Sequence, residues 1–184
     1  MFKFKKKFSI TDIILIAFIV LLIIPSTKAK ILQIISSSPS VESVGERRKL
    51  DTYNWNLKGV NEENLNFNQT KEKVVLVNFW ATWCPPCIAE MPSLQKLYND
   101  YKDKVQFVFV SNENPEKIKS FLNNKGYDLP IYSSLSRAPK EFESSSIPAT
   151  FLVDKAGYIV IDKKGSADWN TSKVRKTIDE LLQQ

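Results

Sequence analysis

The chain has 184 residues, enough for one domain and an appendage, and its 43% hydrophobic and 25% charged content suits a globular protein. It has no histidine and only two cysteines, Cys84 and Cys87; this excludes Ser-His and Cys-His catalytic pairs, His-ligated metals and four-thiolate zinc or iron–sulfur sites, and Ile88 excludes c-type haem attachment. The net charge of +6 is no nucleic-acid signature: the first 24 residues hold four lysines against one aspartate, while the other 160 carry 22 basic and 19 acidic side chains with no basic cluster among aromatics. No nucleic acid, metal or cofactor is expected, and the chemistry must run on thiols, carboxylates or lysines.

Residues 1–9 form a basic tail with Lys3, Lys5, Lys6 and Lys7, followed by an unbroken apolar run over residues 13–24. Lysines before an apolar run mark an export signal and keep the tail in the cytoplasm. Twelve residues give only about 18 Å of helix, short of the roughly 30 Å hydrocarbon core, so the predicted single-pass signal-anchor covers residues 10–26 and takes in Asp12 near the interface. Thr27 and Ala29 leave a cleaved signal peptide as the alternative. Both readings put the remainder outside the cytoplasmic membrane. Residues 27–50, with Ser36, Ser37, Ser38, Pro39 and Ser40 and then Gly45 to Lys49, read as a flexible polar linker. Residues 51–184 read as one globular domain.

Within that domain Tyr53, Trp55 and Leu57 alternate with polar residues as in a half-buried strand, and Leu65 and Phe67 continue the theme. Residues 74–80 and 105–110 are nearly continuous apolar runs, the pattern of central parallel strands. Between them Cys87, Met91, Leu94, Tyr98 and Tyr101 share one helical face, with Pro92 predicted to kink it. Pro115, Ile118, Phe121 and Leu122 predict a second helix stopped by Gly126. Residues 149–154 and 158–162 flank a turn with Gly157 in the left-handed region, and a last helix carries Val174, Ile178, Leu181 and Leu182. The whole is an α/β sandwich around a mixed sheet.

Cys84 and Cys87 sit where the first central strand passes into its helix. A cysteine at a helix N-terminus has its thiolate favoured by free N–H groups and the helix dipole, so Cys84 is the candidate nucleophile and Cys87, one turn in, the candidate resolving thiol. Pro85 and Pro86 stiffen the turn at little cost, since first-turn N–H groups have no helical partner. The other reading is a structural disulfide of an exported protein, but a loop this short gains little stability from cross-linking. Glu90 lies three residues beyond Cys87. If buried, its carboxyl would have a raised pKa and could exchange the proton of Cys87; if solvated, it would simply favour the helix dipole.

The stretch Val-Asn-Phe-Trp-Ala-Thr-Trp-Cys-Pro-Pro-Cys-Ile-Ala-Glu-Met-Pro, residues 77–92, resembles the thioredoxin superfamily, specifically the TlpA/ResA-like group of membrane-tethered thiol:disulfide oxidoreductases. The resemblance implies a thioredoxin-like three-layer sandwich with an added N-terminal β-hairpin and a redox disulfide Cys84–Cys87. It implies that Pro148 is a cis-proline beside that disulfide, leaving the Ile147 backbone to pair with an extended substrate. Trp83, Pro85, Pro86, Ile147 and Pro148 are then candidate substrate-binding residues. It also assigns Glu90 the proton-transfer task, since Asn78 stands where ordinary thioredoxins have a buried Asp. The implied function is reduction of disulfides in exported proteins, among them the cysteines of apocytochromes c, with a membrane thiol carrier as electron donor. A general oxidase or isomerase, and a tethered peptide-binding module with an inert disulfide, are the alternatives.

Overall fold

The computed structural model describes residues 9–12, 14–16 and 37–184. Residues 10–12 and 14–16 are helical, and among the described residues no helix is long and apolar enough to cross a membrane. Most of the apolar run at 13–24, on which the anchor expectation rests, lies outside the described residues.

From residue 56 the elements are β1 (Asn56–Gly59), β2 (Leu65–Asn66), β3 (Val75–Phe79), α1 (Pro85–Tyr101), β4 (Gln106–Val110), α2 (Pro115–Lys125), β5 (Ile131–Ser134), β6 (Ala149–Val153), β7 (Ile159–Lys164) and α3 (Ser172–Gln183). The strands form one mixed sheet in the order β2-β1-β5-β4-β3-β6-β7. β4 is parallel to β3 and β5, and the remaining pairings are antiparallel. The apolar runs thus become the central strands, where both faces must be covered.

Alternate residues feed two cores, as the pleat demands. Leu76, Phe107, Phe109 and Leu152 join a cluster built with Met91 and Leu94 of α1, Ile118 and Leu122 of α2, and Val174 and Ile178 of α3. Val75, Val77, Val108 and Phe151 join the other, which Trp55, Phe67 and Phe142 complete. The fold is α/β and thioredoxin-like. The 53–57 alternation resolves into a strand that starts only at Asn56, while Phe67 turns into a 3-10 helix, Phe67–Thr70. β5 has no counterpart among the expected strands, because only Ile131 and Tyr132 of its four residues are buried and no apolar run marks it.

The expected free linker needs correction over residues 37–50. Glu42 N–H donates to the Val160 carbonyl at 2.8 Å, Ile159 N–H to Arg48 at 2.8 Å and Leu50 N–H to Gly157 at 2.9 Å. Pro39 and Leu50 are buried. The cause is β7, an edge strand whose outer N–H and C=O groups need partners; this segment supplies them and covers the edge. Residues 37–50 are therefore packed on the globular unit rather than free of it. In the β6–β7 turn Gly157 adopts φ 89°, a conformation that favours glycine, and a Cβ there would lie 2.6 Å from the Tyr53 hydroxyl and displace it.

Candidate thiol-exchange site

β3 delivers the chain to the site. Trp80 N–H still bonds the Val110 carbonyl at 3.1 Å, and the next four residues turn into α1. Cys84 is the N-cap of α1, with Pro85 and Pro86 in its first turn, and its Sγ accepts the Cys87 N–H at 3.3 Å. The two cysteines are joined in a disulfide. Both are nearly covered, Cys84 3% and Cys87 1% exposed, whereas neighbouring Trp83 is 66% exposed. Pro92 lies inside α1 without ending it.

The loop before Cys84 is held by a residue that sequence reasoning missed. Glu113, after β4, accepts the Thr82 N–H at 2.6 Å with Oε2 and the Thr82 hydroxyl at 2.8 Å with Oε1. Lys117, in the first turn of α2, donates to the same Oε1 at 2.6 Å. Burial would raise the Glu113 pKa, but the Lys117 and Thr82 hydrogen bonds and the Lys117 charge outweigh it and hold the carboxyl below its ordinary value. No sequence spacing links positions 82 and 113.

Glu90 is buried, so it is not a solvated first-turn charge. Its Oε1 accepts the Asn78 amide at 2.8 Å, and its Oε2 accepts the Trp169 indole N–H at 3.1 Å and the Ala167 N–H at 3.3 Å. The Asn78 amide also donates to Thr150 Oγ1 at 2.7 Å, across the β3–β6 register that pairs these two residues. Burial pushes the Glu90 pKa up to about 7, against the opposing hydrogen bonds from Trp169, Asn78, Ala167 and Thr150. Asn78 left a signal, as the one polar residue in its apolar run. Trp169 left none.

The Ile147–Pro148 peptide bond is cis. Phe79 pairs with Ala149, so the start of β6 lies beside the end of β3, where the cysteine loop departs. Half-buried Ile147 packs on the cluster that contains both cysteines, and the Pro148 carbonyl accepts the Gly165 N–H at 2.8 Å. A groove of about 630 Å³ opens beside Ile147, lined by Phe79, Ala138 and Phe142 and by Ser144, Ser145 and Ser146. The arrangement brings the two cysteines, a buried carboxyl with a raised pKa and the backbone before a cis-proline into one region, which suits thiol–disulfide exchange.

Comparisons with known proteins agree with this chemistry. The Redoxin family profile matches residues 37–181. The chain is 34% identical over 124 residues to the thioredoxin-like protein YneN of Bacillus subtilis, covering 65% of this chain and 73% of that protein. It is 32% identical over 110 residues to the thiol-disulfide oxidoreductase ResA of Halalkalibacterium halodurans, covering 58% of this chain and 62% of that one. In fold it is similar to a DsbF homologue from Corynebacterium diphtheriae, with a TM-score of 0.59, 21% identity, and coverage of 79% of this chain and 94% of that one.

Proposed function

The chain belongs to the Redoxin family and is a ResA-like thiol:disulfide oxidoreductase of the thioredoxin superfamily, and on that premise we propose that it reduces disulfides of exported proteins outside the cytoplasmic membrane. The observation that carries the reading is the pairing of an N-capping Cys84 with a buried carboxyl, Glu90, one helical turn beyond Cys87. An inert disulfide would not need that carboxyl.

In the reduced form the Cys84 thiolate attacks a substrate disulfide. A Cys84–substrate bond forms, the substrate S–S bond breaks, and the displaced substrate sulfur leaves as a thiolate that takes up a proton. Cys87 then gives up its proton and attacks Cys84 Sγ, closing the Cys84–Cys87 disulfide and releasing the second substrate sulfur as a thiolate that takes a proton from water. Two electrons have moved from the domain to the substrate, and a membrane thiol carrier returns them. Glu90, with its pKa near 7, takes the Cys87 proton during resolution and gives it back on regeneration. Ile147 offers its backbone to an extended substrate, with Pro148, Trp83, Pro85 and Pro86 alongside, and the cysteines of apocytochromes c are a fitting substrate class. Residues 10–26 anchor the protein, with residues 1–9 in the cytoplasm, and the tether keeps the domain near its electron donor.

A Cys87→Ser variant tests the mechanism, because resolution then stops at the mixed disulfide. Exported proteins should be trapped on Cys84 and released by reductant; a variant that traps none contradicts the exchange mechanism.

A further inference from the structure

The described part of the unit begins at residues 37 and 38, and both are fastened to one loop. The Ser37 carbonyl accepts the Asp168 N–H at 3.1 Å, and the Ser38 and Thr171 hydroxyls hydrogen-bond at 2.9 Å. Pro39, next in line, is buried. That loop, residues 165–171, also reaches the thiol site. Gly165 N–H bonds the Pro148 carbonyl, the Ala167 N–H and the Trp169 indole bond Glu90 Oε2, and the Trp169 N–H bonds Ser93 Oγ at 3.1 Å. Asp168, held by Ser37, thus lies between the two residues that donate to Glu90.

Glu90 draws its donors from two kinds of support. Asn78 and Thr150 are fixed by the β3–β6 register. Ala167 and Trp169 lie in no ladder, and their donors stay within hydrogen-bonding range only while the loop is held. Ser93 holds it from α1 and Arg175 of α3 holds Asn170 Oδ1 at 2.9 Å, while Ser37 and Ser38 hold it from the membrane-proximal segment.

We propose that Ser37 and Ser38 are positioning residues for thiol exchange: by holding Asp168 and Thr171 they keep the Ala167 and Trp169 donors on Glu90, so docking of the membrane-proximal segment tunes the proton-transfer group. The inference rests on the reading of Glu90 as the proton carrier for Cys87. The groups facing Glu90 are Asn78 from β3, Thr150 from β6, and Ala167 and Trp169 from the loop, none of them charged. Losing the two loop donors removes support for the carboxylate and drives its ionisation to higher pH.

The test uses the full-length protein in detergent micelles, reduced and then alkylated with iodoacetamide from pH 5 to 9. The Glu90 inflection in the Cys84 rate profile is identified as the one that Glu90→Gln removes. Combined Ser38→Ala and Pro39→Gly substitution should move that inflection to higher pH, by about threefold or more in proton affinity. Ser38→Thr, which keeps the hydroxyl, and Arg48→Ala, which removes the side-chain bonds to Asp162 and to the Glu141 carbonyl at the far end of the docked segment, should leave it in place. An unmoved inflection in the folded double variant, or an equal movement in Arg48→Ala, overturns the inference. If the double variant does not fold, Ser38→Ala alone is judged by the same criterion. A wild-type profile that Glu90→Gln leaves unchanged is a different result: it sinks the proton-carrier reading, and the positioning inference falls with it.

Discussion

Asn78 of β3 and Glu90 of α1 form a buried pair in which the Asn78 amide donates to Glu90 Oε1 at 2.8 Å and, with its other hydrogen, to Thr150 Oγ1 at 2.7 Å. The amide is neutral, so the strand supports a carboxylate on the helix without adding a second charge. It ties the helix that carries both cysteines to the strand that follows Pro148.

The pH dependence of stability should expose Glu90. An acid whose folded pKa of about 7 lies above its ordinary 4.5 binds its proton more tightly in the folded chain. Its contribution to stability is therefore complete below about pH 4.5 and is lost as pH rises through about 7. At about 1.4 kcal/mol per pH unit, the difference amounts to roughly 3 kcal/mol. Urea denaturation of the oxidised protein between pH 4 and 8 should show this decline, and Glu90→Gln should flatten it. Equal slopes in the two proteins would remove Glu90 from the account.

Asn78→Asp places a second carboxyl against Glu90 Oε1. Two buried acids at hydrogen-bond distance share one proton, so the pair should titrate in two separated steps, one of them above the Glu90 value in the wild type. Stability should fall more steeply above neutral pH than in the wild type. A single unshifted step would mean that the two groups do not meet in solution.

Glu113→Ala should lower stability by about 1–3 kcal/mol, because the Thr82 N–H and hydroxyl both lose their acceptor. Lys117→Ala should cost less than about 1 kcal/mol, since the Lys117 side chain is 56% exposed and such ion pairs contribute little. Denaturation midpoints check the contrast; equal losses would mean that the ion pair, rather than the Thr82 contacts, holds the loop.

Gly157→Ala should cost about 1–3 kcal/mol, from the left-handed conformation and the approach of the Tyr53 hydroxyl. Tyr53→Phe removes the offending oxygen and should recover part of that loss. A double-mutant cycle without coupling would assign the whole cost to the backbone.

Much of this was legible in the residues. The apolar runs around 74–80 and 105–110 and the one-sided spacing from Cys87 to Tyr101 correspond to β3, β4 and α1, because period and length leave few alternatives for buried segments. Glu90 was visible as a candidate, and the structure adds the burial that raises its pKa. What remained hidden depends on partners distant in the chain. The polar stretch at 37–50 looks free by composition, yet it is recruited by the open edge of β7. The Glu113 clamp on Thr82 and the Trp169 indole on Glu90 arise from chain crossings that no local pattern encodes, and β5 is too short and too half-buried to stand out.

The most direct test of the central claim is the reduction potential of the Cys84–Cys87 pair, measured by equilibrating the protein in glutathione buffers of known ratio. Potentials of such dithiols span about −270 to −120 mV, and a disulfide reductase belongs at the reducing end, near −270 mV. A value near −120 mV would make the domain an oxidant and contradict the proposed direction of electron flow.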